Sequence, residues 1–215
     1  MSSCCRAEPC AEIFDAAQAE SDMESYLDGG LTALEERMLA DLPAYASTPE
    51  SRVLEIGGGV GALQAELLRA GAGTGEVVEL LGVYAPFAKR LAERLGLDSR
   101  STFRVHDLLE DPSAVEPADV VLLNRVVCCS PEGPSLTAAA ARLTRGCLAL
   151  VFPRANVFTR ALAAVERALA RLLRRKFMIF VWSVEQLQAA AASAGLAPVA
   201  SGGSLAWRYL VFARR

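Results

Sequence analysis

Arg52-Val53-Leu54-Glu55-Ile56-Gly57-Gly58-Gly59-Val60-Gly61 is a buried-strand pattern that runs straight into a glycine-packed turn, and a helix-like stretch over residues 62–70 follows it. Val53, Leu54 and Ile56 read as a strand covered on both faces, as strands of parallel sheets are. Gly57, Gly59 and Gly61 permit positive φ and let backbone N–H groups approach a ligand that a Cβ would exclude. Strand, glycine turn and helix in this order predict a nucleotide-binding βα unit.

Gly57-x-Gly59-x-x-Ala62 also satisfies the dinucleotide fingerprint, so the glycines alone do not separate a nicotinamide dinucleotide from another nucleotide cofactor. The next strand, over residues 76–81, carries Glu79 about 20 residues further on, where an acidic side chain accepts hydrogen bonds from ribose hydroxyls. Both readings use that carboxylate. The plainer reading of Glu79 is a solvated charge at a strand end.

With 215 residues, 53% of them hydrophobic, the chain has enough material for one full α/β domain and too little for two. Its 25 acidic and 22 basic side chains give a net charge of −3, which supplies no global field for gripping nucleic acid. No apolar run approaches the length of a membrane span. The N-terminus lacks the basic-then-apolar build of a secretory signal, and the expectation is a cytoplasmic protein. Cysteines fall at positions 4, 5, 10, 128, 129 and 147. In that compartment they read as reduced thiols. A tetrahedral metal site would want four ligands at regular spacing, and with His106 as the sole histidine no metal is expected.

Helical patterns near 11–27 and 31–41 precede a linker between Pro43 and Pro49, and strands and helices then alternate. Strands are predicted over 52–56, 76–81, 102–106, 119–124 and 147–152, with helices near 60–71, 84–96 and 135–144, the pattern of a parallel sheet with right-handed crossovers. A long helix over about 156–175 and another over 184–194 follow. Two runs around Gly202-Gly203 then read as a β-hairpin. The organisation is an N-terminal helical cap, residues 1–48, on a cofactor-binding domain, residues 49–215, with 154–182 as a substrate lid.

The terminal hairpin resembles the end of the class I S-adenosylmethionine-dependent methyltransferase fold more than a nicotinamide domain. None of Tyr26, Tyr45, Tyr84 or Tyr209 has a lysine four residues later, as a short-chain reductase would need. Residues 12–15, 25–31, 53–64, 78–80 and the run Asn124-Arg125-Val126-Val127-Cys128-Cys129 resemble small bacterial methyltransferases related to magnesium-protoporphyrin O-methyltransferases, over about residues 12–212. That resemblance implies a Rossmann-like, doubly wound, mostly parallel seven-stranded sheet with an antiparallel C-terminal hairpin strand. It also implies S-adenosylmethionine as cofactor and methyl transfer to a small-molecule acceptor.

Residue by residue, the resemblance assigns Glu55, Gly57, Gly58, Gly59 and Gly61 to the methionine moiety, Glu79 and Leu80 to the ribose, and Asp107 and Leu108 to the adenine. Asn124, Arg125 and Val126 fall in the loop beside the transferred methyl, and Tyr26, Cys128, Cys129 and Arg154 on the acceptor side. Where the related proteins have His before the Arg-Val-Val-Cys-Cys run, Tyr after it and Ser-Pro after the ribose acid, this chain has Asn124, Ser130 and Leu81-Gly82. Groups able to handle a proton beside the acceptor are thereby removed. A protein that binds the cofactor for cyclisation, lysis or regulation is therefore the second reading, and a nicotinamide-dependent reductase the third.

Methyl transfer asks little of side chains beyond positioning and desolvation, because the sulfonium is already activated. His106 is the candidate base if the nucleophile must lose a proton; the alternative is a histidine hydrogen-bonded at its strand end. Arg160, Arg167, Arg171 and Arg174 recur at helical spacing, with Leu162, Val165, Leu169, Leu172 and Leu173 making up much of the apolar side, an amphipathic basic helix that could cover an acceptor pocket, attract an anionic substrate or touch a membrane surface; the plainer reading is an ordinary packed helix with a solvated outer face. With Arg154 it would favour an anionic acceptor. Phe14 and Tyr26 are expected to close the cap over the cofactor, and Phe152, Phe158, Phe177, Phe180 and Trp182 to line the acceptor cavity.

Overall fold

A computed structural model describes residues 3–214, and the side chains of residues 3–6 and Phe158 lie outside that description, as do the expectations that concern Cys4, Cys5 and Phe158. Seven strands form one sheet: β1 (Arg52–Ile56), β2 (Thr74–Glu79), β3 (Ser101–Val105), β4 (Ala118–Asn124), β5 (Thr144–Pro153), β6 (Leu196–Gly203) and β7 (Trp207–Arg214). Their order is β3-β2-β1-β4-β5-β7-β6. The first five are parallel, and β7 runs antiparallel to both β5 and β6.

Strand alternation divides the core in two. Leu54, Ile56, Val121, Leu123, Leu148 and Leu150 meet helices α6 (Gly133–Arg142) and α8 (Val184–Ala192) on one face. Val53, Val120, Leu122, Ala149 and Val151 meet α3 (Ala33–Ala40) and α4 (Ala62–Arg69) on the other, with α5 (Ala85–Arg94) contributing Ala92. Helices that follow β1 and β2 thus cover one side and the helix that follows β4 covers the other, so the connections diverge between β1 and β4. In open α/β sheets that crevice is where ligands bind.

The N-terminal helices are α1 (Ser3–Ala11), α2 (Ala16–Gly29) and α3; the first two form a cap, whereas α3 packs in the core of the sheet itself. Asp15 caps α2 by accepting from the Gln18 amide, and Gly30, at φ +71°, ends it. Ala19, Met23 and Tyr26 of α2 join Val60, Leu81, Tyr84 and Leu91 in a third apolar cluster, laid over the glycine turn. α1 is not anticipated by the sequence reading, which starts the first helix near residue 11.

Three other boundaries differ for local reasons. β2 ends at Glu79 and not at Leu81, because the Leu80 and Leu81 amides turn back to the Glu79 carboxylate at 2.7 and 3.1 Å and leave the ladder. Gly202 and Gly203 are the last residues of β6 and not the hairpin turn, which residues 204–206 make; the Tyr209 ring lies where a Cβ on Gly202 would stand. α7 (Val157–Leu172) ends before the expected residue 175, and the stretch 177–182 after it is a strap that belongs to neither helix nor sheet.

Candidate active site

The turn after β1 is held by contacts that demand glycine. Gly57, Gly59 and Gly61 all have positive φ, at +63°, +55° and +81°. A Cβ on Gly57 would come within 2.7 Å of the Val126 methyls, and one on Gly59 within 3.1 Å of the Tyr84 ring. Gly61 begins α4 as an N-cap with no side chain to offer. Glu55 supplies the missing acceptor from beneath: its carboxylate takes the Gln64 amide at 2.9 Å, satisfying one of the orphan donors of the first helical turn. Burial pushes Glu55 up to about 8, against the lowering pull of that amide.

Glu79 accepts from three amides, Gly59 at 3.0 Å and Leu80 and Leu81 from the other side. Burial raises its pKa, and the three amides oppose the shift. A carboxylate has about four acceptor sites, so one remains for an incoming hydroxyl. Asp107 uses one oxygen to accept from the Leu109 amide at 2.9 Å, an Asx-type turn that fixes the loop after β3.

Glu35 is a functional candidate that the sequence reading missed. As the N3 residue of a capping box, its Oε2 accepts from the Thr32 amide and hydroxyl at 2.8 and 2.7 Å. Its Oε1 is left to meet Asn124 Nδ2 at 2.7 Å and Arg125 Nη2 at 3.5 Å across the end of β4. Burial works to raise its pKa, but the bonds from Thr32 and Asn124 and the Arg125 charge outweigh it and hold the carboxyl below the usual range. The visible signal was Thr32-x-x-Glu35, a capping box; nothing in the spacing tells that its second oxygen faces Asn124.

Asn124 Oδ1 and Arg125 Nε are buried without a partner among the described residues. Arg125 also sits at φ +59°, a conformation that side chains rarely adopt, with its guanidinium 5.0 Å over the Trp207 ring. Backbone strain and unpaired polar atoms gathered at one strand end mark a place built for a ligand.

These groups open on a cavity of about 960 Å³. Gly57, Gly58, Gly59, Glu79, Leu80, His106, Asp107 and Leu108 line one part of it. Tyr26, Asn124, Arg125, Val126, Cys128 and Cys129 line another, with Phe14, Phe177 and Phe180. The strap roofs this part: Lys176 N donates to Glu12 at 2.9 Å, Phe180 N to the Cys128 carbonyl at 2.8 Å, and Trp182 Nε1 to the Val127 carbonyl at 2.8 Å. Phe14 meets Phe177 edge to face at 5.7 Å, which ties cap to strap.

Several expectations are corrected by this placement. Glu55 and Gly61 lie behind the cavity wall and shape the turn without facing the space. Arg154 is exposed at the hairpin turn, with its guanidinium 3.3 Å from the Ser204 carbonyl, and does not reach the cavity. No residue of α7 lines the cavity either, so within 154–182 the wall comes from residues 176–180 alone. Phe152 is fully buried between sheet and helices, and Trp182 packs against that same core. His106 Nε2 is engaged by the Asp111 carbonyl at 2.7 Å.

The sheet order and the crevice between β1 and β4 define the class I S-adenosylmethionine-dependent methyltransferase fold, and solved structures of such enzymes superpose on the chain. Magnesium protoporphyrin IX methyltransferase from Synechocystis, with bound S-adenosylhomocysteine, matches 98% of this chain and 100% of its own at 18% identity and a TM-score of 0.74. An O-methyltransferase family protein from Burkholderia thailandensis matches 93% and 60% at 19% identity, TM-score 0.69. Geranyl diphosphate C-methyltransferase from Streptomyces coelicolor, with Mg²⁺, geranyl-S-thiolodiphosphate and S-adenosylhomocysteine, matches 85% and 76% at 15% identity, TM-score 0.66. No family model matches the sequence, and no curated protein matches it.

Proposed function

We propose that the protein binds S-adenosylmethionine across the β1–β4 crevice and transfers its methyl group to an apolar small molecule. The observation that carries this reading is the Glu79 carboxylate at the glycine turn, facing the same cavity as the unpaired Asn124 and Arg125 atoms. Glu79 has an acceptor site left for a ribose hydroxyl. At the other end Glu35 and Asn124 Oδ1 suit the cofactor's ammonium and Arg125 Nε its carboxylate, which would satisfy groups that otherwise cost about 1–3 kcal/mol each. Such a fit would leave the part of the cavity lined by Cys128, Cys129 and the strap for the acceptor.

Bound there, the cofactor would supply an activated methyl for displacement by an acceptor lone pair, with a neutral thioether as the leaving group. The chain's own part is to position and to exclude water. The acceptor wall of Phe14, Phe177, Met178, Ile179 and Phe180 is apolar, and with Arg154 and the α7 arginines outside the cavity the anionic-acceptor expectation loses its basis. The second reading, cofactor cyclisation or lysis, is motivated by Asn124 and Ser130, which stand where the resembling proteins have a His and a Tyr able to handle a proton.

Thermal shift with S-adenosylmethionine, followed by mass analysis of products, tests both. S-adenosylhomocysteine formed with an acceptor supports transfer, whereas methylthioadenosine formed without one supports lysis. Gly59→Val should abolish the shift through its positive φ and the Tyr84 ring, and Glu79→Ala should weaken binding by about 1.5–3 kcal/mol. Unchanged cofactor affinity in folded Gly59→Val protein removes the proposed site.

A further inference from the structure

α7 is amphipathic in the sense opposite to that of an ordinary packed helix. The side laid on the protein carries the small residues Thr159, Ala163 and Ala170, all buried. Its large apolar residues face solvent: Leu162, Val165, Leu169, Leu172 and the following Leu173 range from 50% to 78% exposed. At about 100° per residue the four within the helix fall in one stripe roughly 80° wide. Scattered exposed leucines need no explanation, but a contiguous stripe marks an interaction surface.

The same segment concentrates positive charge. Between residues 157 and 176 there are six basic side chains (Arg160, Arg167, Arg171, Arg174, Arg175 and Lys176) against one acid, Glu166; six minus one gives +5 in a chain of net charge −3. The remainder of the chain therefore carries −8. Carboxylates from neighbouring elements face only part of this field, Glu8 and Glu12 at Lys176 and Glu185 at Arg160. Arg171, Arg174 and Arg175 make no salt bridge among the described residues.

We infer that the leucine face of α7 docks on a bilayer surface carrying anionic headgroups, its leucines entering the acyl boundary while the arginines on the far side of the helix and past its end supply the positive field that attracts lipid phosphates. Charge separates this occupant from a second copy of the chain, because self-association through the stripe would bring one +5 segment against another. The docked face adjoins the cavity. Glu166, one turn from both Leu162 and Leu169, accepts from Ile179 N at 3.3 Å, and the chain runs from α7 directly into the strap. A bilayer against α7 thus lies beside the apolar wall through which a lipid-partitioned acceptor would pass.

Flotation of the full chain with vesicles of phosphatidylcholine alone, or of phosphatidylcholine mixed with phosphatidylglycerol, reads this without reference to catalysis. The protein should rise only with the anionic vesicles and be released at high salt. Gln at Arg171, Arg174 and Arg175 together should weaken binding on the order of a hundredfold, roughly fivefold per arginine. Gln at Leu162, Leu169 and Leu172 together should abolish it while leaving the melting temperature unchanged, since these side chains are solvent-exposed in the fold. No flotation at low salt overturns the inference, as does a leucine variant that floats like the parent. A dimer in sedimentation velocity that the leucine variant converts to monomer overturns it in favour of a second copy.

Discussion

Glu55 shows how one side chain can shape the candidate site without facing it. Its carboxylate is 2% exposed, caps α4 through the Gln64 amide, and fills the space where a Cβ on Gly58 would stand. Burial raises its pKa to about 8 from an ordinary 4.5, so the native state holds a proton that the unfolded chain releases. The stabilising contribution is therefore fully present below about pH 4.5 and is lost as pH rises through about 8. Glu55→Gln keeps the acceptor oxygen for the Gln64 amide and removes the titration. Between pH 5 and 8 the stability of the parent should fall relative to Glu55→Gln by up to a few kcal/mol, read as chemical-denaturation midpoints at each pH. A difference that stays flat over that range would mean the carboxyl is ionised in the folded protein throughout.

Among the elements, α2 and the strap carry the closure of the site, and they differ in how far the sequence announces them. α2 has a capping aspartate, a terminal glycine and apolar spacing, and was legible; its contacts, Tyr26 Oη to Glu66 at 2.6 Å and Tyr84 Oη to Asp22 at 3.0 Å, join residues tens of positions apart and were not. α7 was read correctly as a basic amphipathic helix but with the wrong face inward. Hydrophobic periodicity gives the period of a helix and the sequence has no term for which face a neighbour covers; here Ala163 and Ala170 allow close approach on the side opposite to the leucines. Deleting residues 1–31 spares Thr32 and the capping box, and spares Leu34 and Met38 in the core. The truncated chain should fold, expose Val60, Leu81 and Tyr84, bind a hydrophobic dye, and lose cofactor affinity by an order of magnitude or more. Equal affinity measured by calorimetry would make the first two helices peripheral to the site.

At the scale of the whole molecule, a mostly parallel seven-stranded sheet with an antiparallel end was legible because the glycine turn, Glu79 and the hairpin are local signals; the strand order was not, and it is the order that sets the ends of β1 and β4 side by side. Phe14, Cys129 and Phe177 were read as residues of the site and do line the cavity, whereas Cys10 of the first helix was not, and no spacing relates the four. The chemistry of this wall yields the last prediction. Burial, with the charges of Cys129 and Glu79, pushes Cys10 up to about 12. Cys129 is raised by its thiol contact with Cys128, 4.0 Å away, and then by burial. Both remain thiols through neutral pH, and the Asp111 carbonyl engages only the Nε2 edge of His106, so what has to be decided is whether the acceptor's proton goes to solvent or to His106 Nδ1. Loss of the proton to solvent predicts that the turnover rate at saturating cofactor rises tenfold per pH unit up to the acceptor's own pKa and levels off there. A phenolic acceptor would level off at about 10, and a carboxylic acid would be flat above about 5. His106→Asn should leave both profiles in place. If instead the inflection stays at one pH for acceptors of different acidity, and disappears in His106→Asn, the protein carries its own base and His106 is that group.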